Sequence, residues 1–574
     1  MAKKAQAYPQ VDPGAEGLVN MAIARVPAGA RVAEALRVAR ARNAGVVTPG
    51  GTMWVLREDL ARGARLGLED LPAAALARPL PAVEAGETEV RVRRLLAAGA
   101  ALVIVRDRRG PLGAVAPASG SDVGAALGPR FAQRLPEATR EALVAIGRLA
   151  VAHGVRTFLA GGTVRDAMQE PGTSPAGRGS GGDLDIVVEG DGLALARALA
   201  GVLGAPPAGA LVEHVRFLTA SLTVPAVGRI DIATARSERY ETRGALPRVM
   251  PSTIGQDLAR RDFAINAMAV GLGSGNFELL DPLGGRNDLA RRRLRVLHPL
   301  SFVEDPTRIF RAARYATRLG FAPDGWTARA QALALSLAPY PALSGQRIAA
   351  ELELILGDAR PDVVLRRLGR VGAFRLLDAR YRFRPATAAR LSALGAALDW
   401  AGSRGLRMAP LELGALAVLG DQPREVALSA LARLGLSGEP LARAGRVLHG
   451  APALARRLAA ATRPSERARP LWDRADLELA WLWLIGEPPV RAAIEWFVAQ
   501  ARGARSALGG DDIVALGVAR GVDVARVLAA LRDARLDGTI NDRDGEAVYV
   551  RDWIDGHITA DQKGGMGWLR NSSS

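Results

Sequence analysis

The chain has 574 residues, 49% of them apolar, and carries a formal net charge of +17. It contains no cysteine, which excludes disulfides, zinc–thiolate sites, iron–sulfur clusters and cysteine nucleophiles. No apolar run approaches the roughly 18 residues of a membrane span, and no apolar stretch follows Lys3 and Lys4, so a soluble, cytoplasmic protein without a signal peptide is expected.

The five histidines (His153, His214, His298, His449 and His557) are scattered. A metal would therefore be held by carboxylates, which favours magnesium, with manganese as the alternative. Lysine occurs only at Lys3, Lys4 and Lys563, so the cations are nearly all arginine. Exchange of Lys for Arg is a matter of composition. The excess of positive over negative charge is not, and it points to a polyanionic partner.

In chain order, residues 1–20 read as a flexible start. Val32–Arg42 has the periodicity of a helix, Gly45–Thr48 of a strand, Pro49–Gly51 of a turn and Thr52–Leu56 of a second strand, with a short helix from Arg57. The pattern returns as Thr88–Ala97, Ala101–Val105, Arg106–Gly110 and Leu112–Val115. Two such units within residues 21–125 resemble a CBS pair, a module that often binds adenine nucleotides. Asp59 stands near the place of that module's ribose-binding Asp, but Leu56 occupies its Thr position, and the second unit (GAVAPASG) offers neither. A structural or docking role is at least as well supported as ligand binding.

Pro136–Gly154 reads as an amphipathic helix with Leu143, Ile146, Leu149 and Ala150 on one face. Strands fit Arg156–Ala160, Leu184–Val188, Val215–Thr219 and Arg229–Ala233, so residues 136–281 form a mixed α/β domain. From Asp288 to about Arg551 the texture is helical, for example Phe302–Leu319, Arg347–Leu356 and Pro361–Leu368. The divisions expected are a neck at 282–345, a body at 346–500 and a tail at 501–555, with 556–574 disordered.

The chemistry begins at FLAGGTVRDAM, where a buried strand runs into Gly161 and Gly162 and then a helix. Glycine lets backbone approach a phosphate, and the helix start offers unpaired N–H groups. Arg165 adds a charged fork in the first turn. In GGDLDIVVEG, Asp183 and Asp185 alternate on a strand and project from one face, while Asp231 opens the apolar strand of GRIDIATAR. Three carboxylates at strand ends suit two divalent cations and an in-line phosphoryl displacement.

The ordered set GGTVRD, DLD, RIDIATARSERY, RRDFAINAMAV, DPLGGRNDL and EDPTRIFRAARYATRLGF resembles the class II tRNA nucleotidyltransferase/poly(A) polymerase family, strongly over residues 140 to 360. LGGDDIVALG extends a looser match toward the C-terminus. The resemblance implies roles. Gly162 and Arg165 hold a triphosphate. Asp183 and Asp185 ligate two magnesium ions, and Asp231 helps activate an RNA 3′-hydroxyl. Arg261 contacts the nucleotide, with Asp262 and Asn266 on the ribose side. Asp305 and Arg308 pair with the incoming base, and Arg311 and Arg314 continue toward the triphosphate. Spacing by three places Arg308 and Arg311 on adjacent turns of one helix face.

Two features depart from the family pattern or bear on its subgroups. The segment Gln169–Gly182 is longer and richer in glycine than is usual there. Arg239–Val249 keeps the length of a mobile loop, which argues against an enzyme that adds only CC. The expected fold class is α+β: a CBS-like front, an α/β nucleotidyltransferase head and a large helical half. The expected reaction is template-independent addition of nucleotides from ATP, or CTP and ATP, to the 3′ end of tRNA, by an A-adding or CCA-adding enzyme. Polyadenylation of other RNAs and non-catalytic RNA binding or nucleotide sensing are the alternatives.

Overall fold

A computed structural model describes residues 14–117, 125–126, 131–169, 183–203, 210–225, 227–273 and 277–565. Residues 1–13 of the expected flexible start, most of the glycine-rich segment (170–182) and the last nine residues (566–574) lie outside the described residues. The chain divides into two units, residues 1–355 with 367–380, and residues 356–366 with 381–574.

The first unit opens with one topology used twice. β1 (Ala22–Arg25), helix Val32–Ala41, β2 (Ala44–Gly50) and β3 (Met53–Leu56) lead into helix Arg57–Arg65. β4 (Ala82–Glu84), helix Glu89–Ala97, β5 (Val103–Asp107) and β6 (Gly110–Val115) repeat the order. In each copy the first two strands run parallel around the helix and the third returns antiparallel. Val46, Trp54 and Leu56 of the first copy share one apolar cluster with Leu102, Ile104 and Ala114 of the second. The second copy adds a cluster of its own, Val83, Val92, Val103, Val105 and Val115. Asp59 is fully buried, with Oδ1 accepting from Arg62 at 3.2 Å and Oδ2 from Arg78 Nε at 3.0 Å. It serves here as a buried counter-ion.

The next part is an eight-stranded sheet of order β10-β11-β12-β9-β8-β15-β16-β7. Its strands are β7 (Ala125–Ala126), β8 (Arg156–Ala160), β9 (Leu184–Glu189), β10 (Leu211–His214), β11 (Thr219–Val224), β12 (Gly228–Thr234), β15 (Ala269–Gly271) and β16 (Glu278–Leu280). β9 and β12 run parallel, and the other neighbours pair antiparallel. Helix Glu137–Ala152 buries Leu143, Ile146 and Ala150, while Leu149 is half-buried. Phe158, Ala160 and Val187 pack against Ile254, Leu258, Ala264 and Ala267.

Two expected elements are reorganised. The strand expected at Val215–Thr219 is a turn: β10 and β11 form a hairpin with His214 opposite Thr219, and Leu218 closes it at φ 54°. The apolar run there concealed a chain reversal. The helix expected at Phe302–Leu319 is two helices, Ser301–Glu304 and Thr307–Arg318. Asp305 between them is extended, at φ −135° and ψ 96°, because a residue before proline is pushed out of the helical region.

β13 (Arg236–Arg239) and β14 (Arg248–Pro251) form a separate hairpin around residues 240–247. β17 (Arg293–Leu294) and β18 (Ala322–Pro323) make a short parallel pair, after which helices Gly325–Ser336 and Gly345–Leu356 follow. The described residues of the second unit are helical with irregular connections. Trp400 stacks on Trp483 at 5.2 Å between ring centres. Helices Gly510–Ala515, Val522–Leu536 and Arg543–Gly565 end the described chain around Leu508, Ile513, Val527, Leu531 and Val550. No helix of the described residues is long and apolar enough to cross a membrane. The architecture is therefore a mixed α/β head with a large helical C-terminal half.

Candidate active site

β8 ends at Ala160 and is followed by Gly161, whose φ of +77° is open to glycine alone among common residues. A Cβ at Gly161 would lie 2.8 Å from both Asp185 Oδ2 and Arg261 Nη1. The missing side chain lets a carboxylate and a guanidinium meet over the turn. Gly162 begins the helix Gly162–Met168, and only Arg165 approaches its position, at 3.6 Å. The steric need for glycine is thus at Gly161, one residue before the glycine expected to hold phosphate.

The parallel register of β9 and β12 sets Asp185 directly beside Asp231. Asp183 stands just before β9, and its carbonyl accepts from Thr163 Oγ1 at 3.3 Å, tying the strand entry to the glycine-turn helix. Burial pushes the Asp185 carboxyl above its ordinary pKa. Arg261 opposes that shift, and Asp231 and Asp183 add to it. Asp231 accepts from Ser221 Oγ at 2.5 Å and from Arg229 Nε at 2.8 Å. Arg229 also donates to Ser221 at 3.0 Å. Ser221 and Arg229 are absent from the sequence-derived set, although Arg229, two residues before Asp231 on one strand, shares its face.

Among the described residues no three acidic or histidine side chains are gathered as a ready cation cage. Asp231 is held by Arg229 instead. The donor chemistry nonetheless fits a hard divalent cation, because the carboxylates on the adjoining strands offer only oxygen. The cost of ionising Asp185, set first by burial and then by the neighbouring Asp231 and Asp183, is the kind a cation relieves. Ligands must be deprotonated to bind metal. Divalent-metal affinity is therefore expected to fall as pH drops through the raised pKa of Asp185, at a higher pH than for an unperturbed carboxylate. Titration of manganese binding against pH measures this. An affinity constant down to the ordinary aspartate range would refute it.

Behind the carboxylates lies an arginine network. Arg261 donates to Asp257 Oδ2 at 3.3 and 3.4 Å, and Asp257, fully buried, also holds Arg260 at 2.9 Å. Asp262 accepts from Asn266 at 3.0 Å on one oxygen and from Arg311 Nε at 2.8 Å on the other. Asn266 Oδ1 accepts from Arg165 Nη1 at 2.8 Å. Arg165, Asn266, Asp262 and Arg311 thus form one continuous chain. Asp262 and Asn266, expected near ribose, are both buried and orient the arginines. The Tyr315 ring carries a guanidinium carbon from Arg165 at 5.4 Å and from Arg311 at 5.5 Å, and Arg311 Nη2 also meets its hydroxyl at 3.1 Å. Burial raises the pKa of Glu351, and Arg311 and Arg314 oppose it, which places Arg314 in the same field.

Asp305 and Arg308 flank the break between the two short helices. Asp305 Oδ1 accepts from Thr307 N at 3.0 Å and Thr307 Oγ1 at 2.6 Å, and Arg347 Nη2 lies 2.7 Å away. Arg347 Nη1 also donates to the Gly244 carbonyl at 2.7 Å, and Gly244 N donates to the Glu304 carbonyl at 3.1 Å. The loop expected to be mobile is thereby packed against the same segment. Arg308 is buried, donating to Ser301 Oγ at 2.7 Å and to the Arg260 carbonyl at 2.9 Å. Arg347 and Glu351 escaped sequence reasoning because their partners come from other elements, whereas Asp257 meets Arg260 and Arg261 three and four residues on. The local signals were the steps from Asp257 to Arg260 and Arg261 and the four-residue step from Arg311 to Tyr315.

Residues 157–295 match the family of the Poly A polymerase head domain. The chain is 31% identical to an A-adding tRNA nucleotidyltransferase of Geobacter sulfurreducens over 72% of its own length. It covers 47% of that relative, about half its length. It is 34% identical to a CC-adding tRNA nucleotidyltransferase of Deinococcus radiodurans, over 69% of this chain and 89% of that one. A solved CCA-adding enzyme in complex with ATP is 25% identical with a TM-score of 0.65, over 76% of this chain and 99% of that chain. With the carboxylate pair, the glycine turn and the arginine network in one fold, these similarities place the chain in the tRNA nucleotidyltransferase/poly(A) polymerase family.

Proposed function

We propose that this chain transfers nucleotides, without a template, from ATP or from CTP and ATP to the 3′ end of tRNA in the cytoplasm. The observation that carries the reading is the juxtaposition of Asp185 and Asp231 on parallel strands, with Arg261 at the same glycine turn. In the reaction the tRNA 3′-oxygen bonds to the α-phosphorus, the α–β phosphoanhydride bond breaks, and pyrophosphate leaves. The hydroxyl proton passes to water by way of Asp231.

Two divalent cations, magnesium or manganese, held by Asp183 and Asp185 would polarise the α-phosphate and make the 3′-hydroxyl more acidic. The chain's own groups do the rest. Gly161 and Gly162 let the triphosphate approach the helix start, where backbone N–H groups are unpaired. Arg165, Arg311 and Arg314 offset its charge, and Asp262 and Asn266 hold the first two in place. Arg261 contacts the nucleotide while braced on Asp257. Asp305 and Arg308 read the base. Residues 136–281 form the catalytic head, 282–345 the neck, and the body (346–500) and tail (501–555) supply the arginine-rich surface for tRNA phosphates. Residues 21–125 form a CBS-like pair in a structural role.

The test offers tRNA ending before CCA, after C and after CC, with labelled ATP and CTP singly and together. Addition of A only to the CC-ended tRNA marks an A-adding enzyme. Addition of the whole triplet marks a CCA-adding one. Long A tracts on unrelated RNA would replace this reading with polyadenylation, and no metal-dependent labelling of any RNA would overturn it.

A further inference from the structure

We propose that Arg62, carried by the N-terminal repeat, is a positioning residue for nucleotide selection, acting through Glu304 on the segment that presents Asp305 and Arg308. This rests on the reading of those two residues as the base-reading pair.

Helix Arg57–Arg65 turns Asp59, Leu60 and Gly63 inward. Asp59 fixes Arg62 at 3.2 Å from one side, and Arg78 locks Asp59 from the other. So held, Arg62 Nε reaches Glu304 Oε1 at 2.9 Å. Glu304 is 5% exposed, and its second oxygen lies 3.2 Å from His298 Nε2. Burial and then Arg62 push His298 down to about 4, so at neutral pH it is an uncharged N–H donor. Arg62 is therefore the cation in direct contact with buried Glu304, and Arg308 adds to its field. A buried carboxylate deprived of its partner is forced to protonate or move.

The contact around this pair is close-packed. A Cβ on Gly63 would lie 3.7 Å from Leu300 Cδ1. Gly99 approaches the backbone of Gly284 so closely that an added Cβ would overlap it. The Arg78 guanidinium lies 5.4 Å over the Trp326 ring. The repeat is thus built onto the wall from which the base-reading pair projects. The element it touches has only four residues, Ser301–Glu304. At one end Ser301 Oγ holds Arg308, and at the other Glu304 is followed directly by Asp305. A shift of this short helix moves both members of the pair together, while the catalytic carboxylates on β9 and β12 stay in their own sheet.

The experiment compares full-length parent, Arg62→Gln, Arg62→Lys and Asp305→Ala. It measures KM and kcat for the natural nucleotide, discrimination against UTP and GTP, and Tm. Arg62→Gln is expected to raise KM and loosen discrimination by about three- to thirtyfold, the range for residues coupled in one network, with kcat changed less. Arg62→Lys restores part of the loss. Discrimination unchanged in Arg62→Gln while Asp305→Ala loses it overturns this inference alone. Discrimination unchanged in Asp305→Ala overturns the base-reading assignment and this inference with it. A fall in kcat and Tm at constant discrimination also overturns it, because it marks Arg62 as merely structural. Where Arg62→Gln does not fold, the double variant Arg62→Gln/Glu304→Gln leaves no unpaired buried charge and carries the same readout.

Discussion

Asp185→Ala is expected to lower nucleotide transfer by at least about a thousandfold, and Asp183→Ala to do the same, with tRNA binding close to that of the parent. The magnitude follows from the several kcal/mol that metal-assisted charge stabilisation supplies to phosphoryl transfer, at about 1.4 kcal/mol per tenfold in rate. Among the described residues no nearby group is placed to replace either carboxylate. Asp257 is spent on Arg260 and Arg261, and Asp231 already serves its own strand position. In the proposed function tRNA is held by arginine contacts to its phosphates, which these substitutions leave untouched. The fold should not suffer. Asp185 is half-buried beside other carboxylates and its ionisation is disfavoured, so its removal relieves repulsion. A Tm equal to or above that of the parent, with inactive protein, is the expected signature. Single-turnover transfer to labelled tRNA, filter binding and thermal melting together decide it. Near-parental turnover in both variants removes the two-metal assignment.

Much of this site was legible because its signals are local. A strand ending in two glycines before a helix marks a close backbone approach, and Asp185 falls on an apolar strand as its alternation suggests, while Asp183 stands just before that strand. Arg229 was legible by the same rule, two residues before Asp231. The doubled front of the chain was legible as a repeat of periods and turns, and the long helical half as a change of texture. What stayed hidden depends on distant residues. Asp59 resembles a ligand group until Arg78 is seen to close over it. The pairing of Asp257 with Arg260 and Arg261 is local in sequence, but its complete burial is set by the surrounding fold. Arg347 meets Asp305 and Gly244 from a separate helix, and no spacing in the sequence announces that. The break at Asp305 had a local signal in the following proline, but the apolar period on either side masked it.

Asp305→Ala is expected to relax selection of the natural nucleotide over UTP and GTP by about 1–3 kcal/mol, or roughly five- to 150-fold, and to slow transfer less than that. A polymerase without a template must read the base with protein groups. A carboxylate only accepts hydrogen bonds and a guanidinium only donates them, so Asp305 and Arg308 match an edge that offers an amino group beside a ring nitrogen. Adenine and cytosine present such an edge, whereas uracil and guanine present other patterns. Asp305 is not on the helix of Arg308, as simple spacing suggested. It stands in the extended break before Pro306, and its Oδ1 also closes a turn onto Thr307. Loss of selectivity in the Ala variant therefore has two sources, the missing acceptor and a loosened turn. Asp305→Asn separates them. It keeps an oxygen for Thr307 but exchanges the acceptor-only edge for a mixed one, and it gives up the charge that holds Arg347. Arg308→Ala is a poorer probe. Buried Arg308 satisfies Ser301 and the Arg260 carbonyl, and leaving such partners unpaired costs about 1–3 kcal/mol of stability on its own. Competition among all four nucleotides, with Tm alongside, gives the decision. Relaxed selectivity in both Asp305→Ala and Asp305→Asn assigns base reading to the carboxylate. Relaxation in Ala alone assigns it to the shape of the turn, and full selectivity in both places base choice elsewhere.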